Sequence, residues 1–303
     1  MPAKRVEEFK RSDLKFEVVG SCNGLICLAD PVFYDPVYVC NPVIGEYMDV
    51  PSTCKRMGFE IFPGIGYDKV ANEYKVLRAI FNFRDIDLRF KMEAEVYTLG
   101  SGKWKKVEVG DHSYPVFKRS SSQVFVKGAL HWIAADFKVP ELIISFDMGK
   151  EEFNLVPPPA HFTETTPDDD DDDDSDNYDL HLGELGGNLC LFDYSFDGPC
   201  NIWIMKEYGV QRSWTKEYVI SDKMFGSTAV NFKPFKLMEN GNILLVVDNQ
   251  SVACYEPRRK RFRKLKIQLP SRFDAITHVG SFVSLRNFVE PEKRSVEITY
   301  FDE

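Results

Sequence analysis

The sequence has no apolar run approaching the roughly 18–20 residues that a membrane-spanning helix requires. Its opening, MPAKRVEEFKRSDLKF, is charged throughout and lacks the apolar stretch of a secretion signal. Neither a membrane nor secretion is expected. Metal-ligand spacings are missing as well. The five histidines (His112, His131, His161, His181 and His278) form no His-Glu-x-x-His pattern, and the seven cysteines contain no Cys-x-x-Cys. An odd number of cysteines without a spaced framework reads as reduced, structural thiols, which suits the cytoplasm or nucleus. No Gly-x-Ser-x-Gly elbow is present, and Gly64-Ile65-Gly66 lacks the third glycine and the following helix of a dinucleotide loop. No metal or cofactor is expected.

Basic excess is absent too. The formal net charge of the 303 residues is −9, and eight negative charges come from Asp168–Asp174 and Asp176, so the remainder is nearly neutral. A general nucleic-acid binder needs a basic field, and this body does not supply one.

What the chain does have is a repeat. The opener Gly-x-[Leu/Ile]-x-[Leu/Trp] occurs at Gly24–Leu28, Gly128–Trp132, Gly187–Leu191 and Gly241–Leu245. A unit without that opener runs through Tyr74–Leu77, Glu95–Tyr97, Trp104 and Val107. An aromatic opens the last strand of each unit, at Tyr47, Trp104, Phe153, Trp214 and Phe262. In three units it lies seven residues after another aromatic: Tyr97 to Trp104, Phe146 to Phe153, Tyr255 to Phe262. The period of about 50 residues falls in the kelch range. Val126–Pro157 shows one unit clearly: short apolar runs at Ala129–Ala134, Glu141–Phe146 and Phe153–Val156, separated by turn residues.

A twisted four-stranded sheet buries its faces only against copies of itself, and radial stacking is the economical solution. The sequence therefore predicts an all-β, kelch-like β-propeller of five clear repeats; a β-sandwich is the alternative. Two further strands, Ala275–Leu285 and Arg294–Phe301, are expected to pack between the fifth and first units, giving six blades with one incomplete; five blades is the other count. Residues 1–14 form a charged, frayed segment. Residues 15–285 are the propeller, interrupted by a disordered acidic loop over 160–179, and 286–303 are a tail with a closing strand at 294–301.

The opening stretch Val18-Val19-Gly20-Ser21-Cys22-Asn23-Gly24-Leu25-Ile26-Cys27-Leu28, with Cys40-Asn41-Pro42 and Val50-Pro51, resembles the plant F-box-associated interaction domain. The likeness continues through Gly64–Asp68, Asn72–Val76, Glu95–Trp104, Val126–Trp132, Ile144–Asp147, Ile202–Val210 and Ser213–Lys216, covering roughly residues 15–285. The resemblance implies the substrate-recognition part of an SCF ubiquitin ligase: a non-catalytic domain that binds a protein target for ubiquitination. In that family an F-box of about 45 residues docks on a Skp-type adaptor. The 14 residues before the domain in this sequence do not accommodate one, so adaptor binding is expected only if an F-box is supplied, and the chain otherwise acts as a detached binder.

Candidate contact residues recur in the loops after each second strand, where core packing does not call for aromatics. They are Phe33, Tyr34, Phe83, Phe137, Tyr194 and Phe196. Arg258, Arg259, Lys260 and Arg261 form a basic patch for an anionic partner or nuclear import, or alternatively protect an exposed edge strand. Strand-end Asp30, Asp136, Asp193 and Asp248 admit an alternative, a propeller hydrolase using two converging carboxylates, or a glycan-binding protein. Asp capping a turn is the simpler account of them. His131, inside a strand, reads as a satisfied structural histidine.

Overall fold

A computed structural model describes residues 4–5, 16–35, 37–52, 59–82, 91–109, 117, 123–134, 142–162, 179–194, 199–221, 232–270, 273 and 275–288. Phe83, Asp136, Phe137, Phe196, the Asp168–Asp176 run and the expected strand at Arg294–Phe301 lie outside them. The regular secondary structure of the described residues is β-strand, apart from short 3-10 turns. It divides into two compact units. The first comprises Met1–Ser113, Met148–Glu152 and His278–Glu303; the second comprises Tyr114–Asp147 and Phe153–Thr277.

The first unit holds two sheets. One runs β2 (Glu17–Cys22), β3 (Leu25–Ala29), β4 (Val37–Asn41) and β5 (Glu46–Val50), with β1 (Lys4–Arg5) added on the free edge of β5. The other runs β6 (Phe59–Asp68), β7 (Glu73–Asn82), β8 (Lys91–Thr98) and β9 (Lys105–Val107). The second unit holds three sheets of the same meander: β10 (Val124–Val126) to β13 (Glu152–Val156), β14 (Asp179–Leu185) to β17 (Trp214–Ile220), and β18 (Phe232–Leu237) to β21 (Arg261–Lys264). The elements between are β11 (Ala129–Ala134), β12 (Leu142–Asp147), β15 (Asn188–Tyr194), β16 (Cys200–Met205), β19 (Ile243–Val247) and β20 (Ser251–Glu256).

Among the described residues the blades number five, one of the two counts that the sequence leaves open. The stretch expected as a strand over Ala275–Leu285 makes no ladder; it is extended chain running into a short 3-10 turn at Leu285–Phe288. Side chains anchor it instead. Asn41 Nδ2 donates to the carbonyls of Ser281 (3.0 Å) and Val283 (2.8 Å), and Glu46 accepts from Ser284 Oγ and the Leu285 amide. Gly24, at φ +89°, lets this strap pass directly over the β2–β3 turn, because a Cβ there would meet Ser281 Oγ at 1.9 Å.

The seven-residue aromatic spacing becomes contact. Tyr97 and Trp104, Phe146 and Phe153, and Tyr255 and Phe262 have ring centroids 5.5, 4.8 and 4.8 Å apart. Two of the outer-strand aromatics also tie neighbouring sheets together. Trp104 Nε1 donates to Pro51 O at 2.6 Å, and Trp214 Nε1 to Pro157 O at 2.8 Å. In both cases the acceptor is the proline just beyond the preceding sheet's last strand, where the ladder has ended and the carbonyl is available. The sequence carries this signal as Val50-Pro51 and Val156-Pro157.

The six described cysteines are buried free thiols. Burial pushes Cys22 and Cys190 up to about 12 and Cys40 up to about 11, so they remain protonated and unreactive.

Candidate partner-binding loop

Between β3 and β4 the chain turns through Asp30-Pro31-Val32-Phe33-Tyr34-Asp35. Asp30 builds the turn: its Oδ1 accepts the amides of both Val32 and Phe33 at 2.9 Å, while its carbonyl accepts the Tyr34 amide at 2.9 Å. Tyr34 sits in the left-handed region at φ +54°, and its hydroxyl donates to Glu17 Oε2 at 2.8 Å. The loop is thus braced at both ends, and its apolar residues point outward. Val32 is 60% and Phe33 62% exposed. A turn whose backbone is already hydrogen-bonded has less ordering cost left to meet when an aromatic and a branched aliphatic side chain on it enter an interface.

Asp35 closes the loop on its far side. Its Oδ2 accepts from Ser52 Oγ at 2.7 Å and lies 3.8 Å from Arg78 Nη1. Arg78 belongs to β7 and is only 1% exposed; it binds Glu95 Oε2 at 2.7 Å and lies 3.7 Å from the centroid of Trp104. Arg78 and Glu95 are direct cross-strand partners between β7 and β8. The same unit contains a second buried cation. Lys75 binds Asp68 Oδ2 and Glu151 Oε1, each at 3.0 Å. The Ala71 amide and then Lys75 hold Asp68 below the usual carboxylate range, and the two carboxylates raise Lys75 against the pull of burial. Sequence reasoning missed both networks. Their signal was a pair of charges in each of two otherwise apolar strands, YKVLRAIF and MEAEVY, which gains meaning only once the register sets Arg78 opposite Glu95.

The other predicted contact residues fare differently. Tyr194 turns inward: its hydroxyl donates to Phe232 O at 2.8 Å, and its ring packs against a core of Ile202, Phe232 and Leu245. Tyr34 is half-buried and braces its loop rather than presenting a free ring. Of the predicted contact aromatics that are described, Phe33 is the exposed one; Phe83, Phe137 and Phe196 are outside the described residues. Arg258, Arg259, Lys260 and Arg261 are all exposed. The first two lie in the 3-10 turn Pro257–Arg259, Lys260 caps it at φ +48°, and Arg261 begins β21.

The strand-end carboxylates serve local structure. Asp30 caps its turn, and Asp193 is buried and accepts from Asn201 Nδ2 at 3.0 Å. Asp248 lies at positive φ in the β19–β20 turn. Among the described residues no group of three or more His, Cys, Asp or Glu side chains is placed to hold a metal. His131 is fully buried; its Nε2 lies 2.7 Å from Tyr208 Oη and its Nδ1 3.2 Å from Val124 O.

Five antiparallel four-stranded meanders define a β-propeller. The chain belongs to the family of the F-box associated beta propeller domain, whose profile matches residues 3–298. Its relatives include the Arabidopsis thaliana F-box protein At3g07870, 30% identical over 90% of this chain and 71% of that protein, and F-box protein CPR1, 28% identical over 88% and 68%. F-box/kelch-repeat protein At3g04660 of the same plant is 26% identical over 85% of this chain and 66% of that protein. Among solved structures, Aleuria aurantia lectin aligns with 85% of this chain and 78% of its own at 9% identity and a TM-score of 0.46.

Proposed function

We propose that this chain is the target-recognition arm of an SCF-type ubiquitin ligase receptor, a non-catalytic module that holds a protein target. Membership of the F-box associated family supports this reading. The single structural observation that carries it is the braced β3–β4 loop, which holds Val32 and Phe33 out in solvent at no packing advantage to the fold. An exposed aromatic ring on a turn whose backbone is hydrogen-bonded in place is a candidate interface anchor. A Skp-type adaptor joins through an F-box, so the same propeller without one shields its target instead of delivering it for ubiquitination. The module works in the cytoplasm or nucleus, where such ligases and their adaptor reside.

The test is affinity capture from plant extract with this chain and with a version carrying an F-box fused at its N-terminus. Both should retrieve the same target, and only the fusion should retrieve the Skp adaptor. Retrieval of the adaptor by the unfused chain would place adaptor docking on the propeller and contradict this division of labour.

A further inference from the structure

The outer edge of the fifth sheet carries the densest charge in the described chain. Between Ser251 and Pro270 there are seven cations (Arg258, Arg259, Lys260, Arg261, Arg263, Lys264 and Lys266) and a single acid, Glu256. All seven are exposed. Glu256 is already engaged, accepting from Arg261 Nε at 3.0 Å and Arg259 Nη1 at 3.4 Å, so it neutralises part of the turn, and among the described residues no carboxylate pairs with Arg263 or Lys264 of β21.

The backbone of β21 is as available as its charges. Among the described residues β21 pairs with β20 alone, Tyr255 opposite Phe262 and Cys254 opposite Arg263. The Leu265 amide donates inward to Val252 O at 2.8 Å. Antiparallel pairing alternates, so Arg263 and Arg261 also bond inward, and the N–H and C=O groups of Phe262 and Lys264 face outward from the sheet. The first unit shows what such an edge accepts. There the corresponding outer strand, β5, is extended by β1 in antiparallel register, with Lys4 opposite Tyr47 and Arg5 opposite Glu46. Positive charge on a bare edge keeps like edges apart. The same charge admits a strand of opposite sign.

We infer that β21 is a docking edge for an extended acidic segment of the protein partner, which adds to the fifth sheet as an antiparallel strand with its carboxylates on Arg263, Lys264 and the Arg258–Lys260 turn. Backbone pairing supplies the register and charge supplies the selectivity. A nucleic acid would use the cations but not the outward amides, and the rest of the body, net acidic, offers it no continuing basic track. The inference rests on the reading of the chain as a target-binding module and names a second contact for it, apart from Val32 and Phe33.

The probe is a fluorescein-labelled peptide of about 12 residues alternating Glu and Val, titrated into the full chain and followed by anisotropy. Binding should weaken at least about tenfold in Arg263→Glu/Lys264→Glu, and by a similar factor when salt is raised from about 0.05 to 0.5 M. A peptide with proline at alternate positions, which cannot donate to an edge, should bind no better than the charge-reversed protein binds the original. Absence of binding overturns the inference, as does equal binding by the charge-reversed protein or by the proline peptide. Tighter binding of a single-stranded RNA of the same charge overturns it in favour of a nucleic-acid site. The charge reversals leave the β3–β4 loop untouched. If the peptide fails while extract capture through Val32 and Phe33 persists, only this inference falls.

Discussion

Arg78→Met should destabilise the protein by about 3–5 kcal/mol, among the largest effects of any single substitution in it. The guanidinium is almost wholly removed from water, so its charge is tolerated only because Glu95 lies at 2.7 Å, Asp35 at 3.8 Å and the Trp104 ring at 3.7 Å. Methionine fills the volume but leaves two carboxylates, each about 7% exposed, without their cation. Breaking a buried pair in this way costs far more than the intact pair contributes, because the stranded charge must be desolvated alone. Arg78→Lys should recover only part of the loss: an ammonium keeps the charge but neither forks between two carboxylates nor stacks on the indole. Arg78→Met/Glu95→Met should recover most of it. Denaturant unfolding curves on the four proteins measure this directly. The same substitution loosens Asp35, so the Val32 and Phe33 amides should exchange faster in Arg78→Met than in the parent. Equal stability of Arg78→Met and the parent would mean that the cation does not hold the loop.

The second large effect is a pH dependence centred on His131. Burial, the largest influence, pulls this imidazole down from its ordinary 6.5 to about 4, although the Val124 and Ala129 backbone works in the opposite direction. The folded state therefore keeps His131 neutral where the unfolded chain would protonate it. Between those two values the unfolded state binds more protons, so stability rises with pH. The contribution is complete above about pH 6.5 and is lost as the pH falls toward 4, a loss of about 3 kcal/mol at most. His131→Gln retains a hydrogen-bonding side chain opposite Tyr208 and removes the titration. The variant should be less stable at neutral pH but show a flatter profile between pH 6.5 and 4. Parallel profiles for the two proteins would show that the folded state accommodates the imidazolium. Asp68 and Glu151, whose pKa values are lowered, add an acid-side loss at still lower pH, as they become protonated.

Much of the fold was legible because the repeat writes each constraint several times. The glycine openers place the tight turns, and the seven-residue aromatic spacing survives as ring contact in three sheets. The strand expected over Ala275–Leu285 does not form, and the cause is physical. Ala275–Leu285 has the composition of a strand, but its hydrogen-bond partners are the side chains of Asn41 and Glu46, more than 230 residues away in sequence, and no local pattern announces such a pairing.

The site was legible to a smaller extent. Loop aromatics were read as equivalent by position, yet Tyr194 completes a core and Tyr34 braces a turn, whereas Phe33 is left in solvent. What distinguishes them is the Asp30 turn and the reach of each hydroxyl. A phenol can satisfy a distant carbonyl or carboxylate; a phenyl ring cannot. The buried Arg78 that steadies the loop from the neighbouring sheet was invisible for the same reason as the strap, since its partners are fixed by register and tertiary placement.

In the proposed function, target recognition rests on Val32 and Phe33. The deciding measurement is quantitative affinity capture of the target from extract by the parent chain and by Val32→Ser/Phe33→Ser, with unfolding curves recorded on both. The two side chains are exposed, so stability should change by no more than about 0.5 kcal/mol, while target recovery should fall by at least about tenfold. Undiminished recovery by an equally stable double variant would contradict the assignment of this loop as the recognition surface.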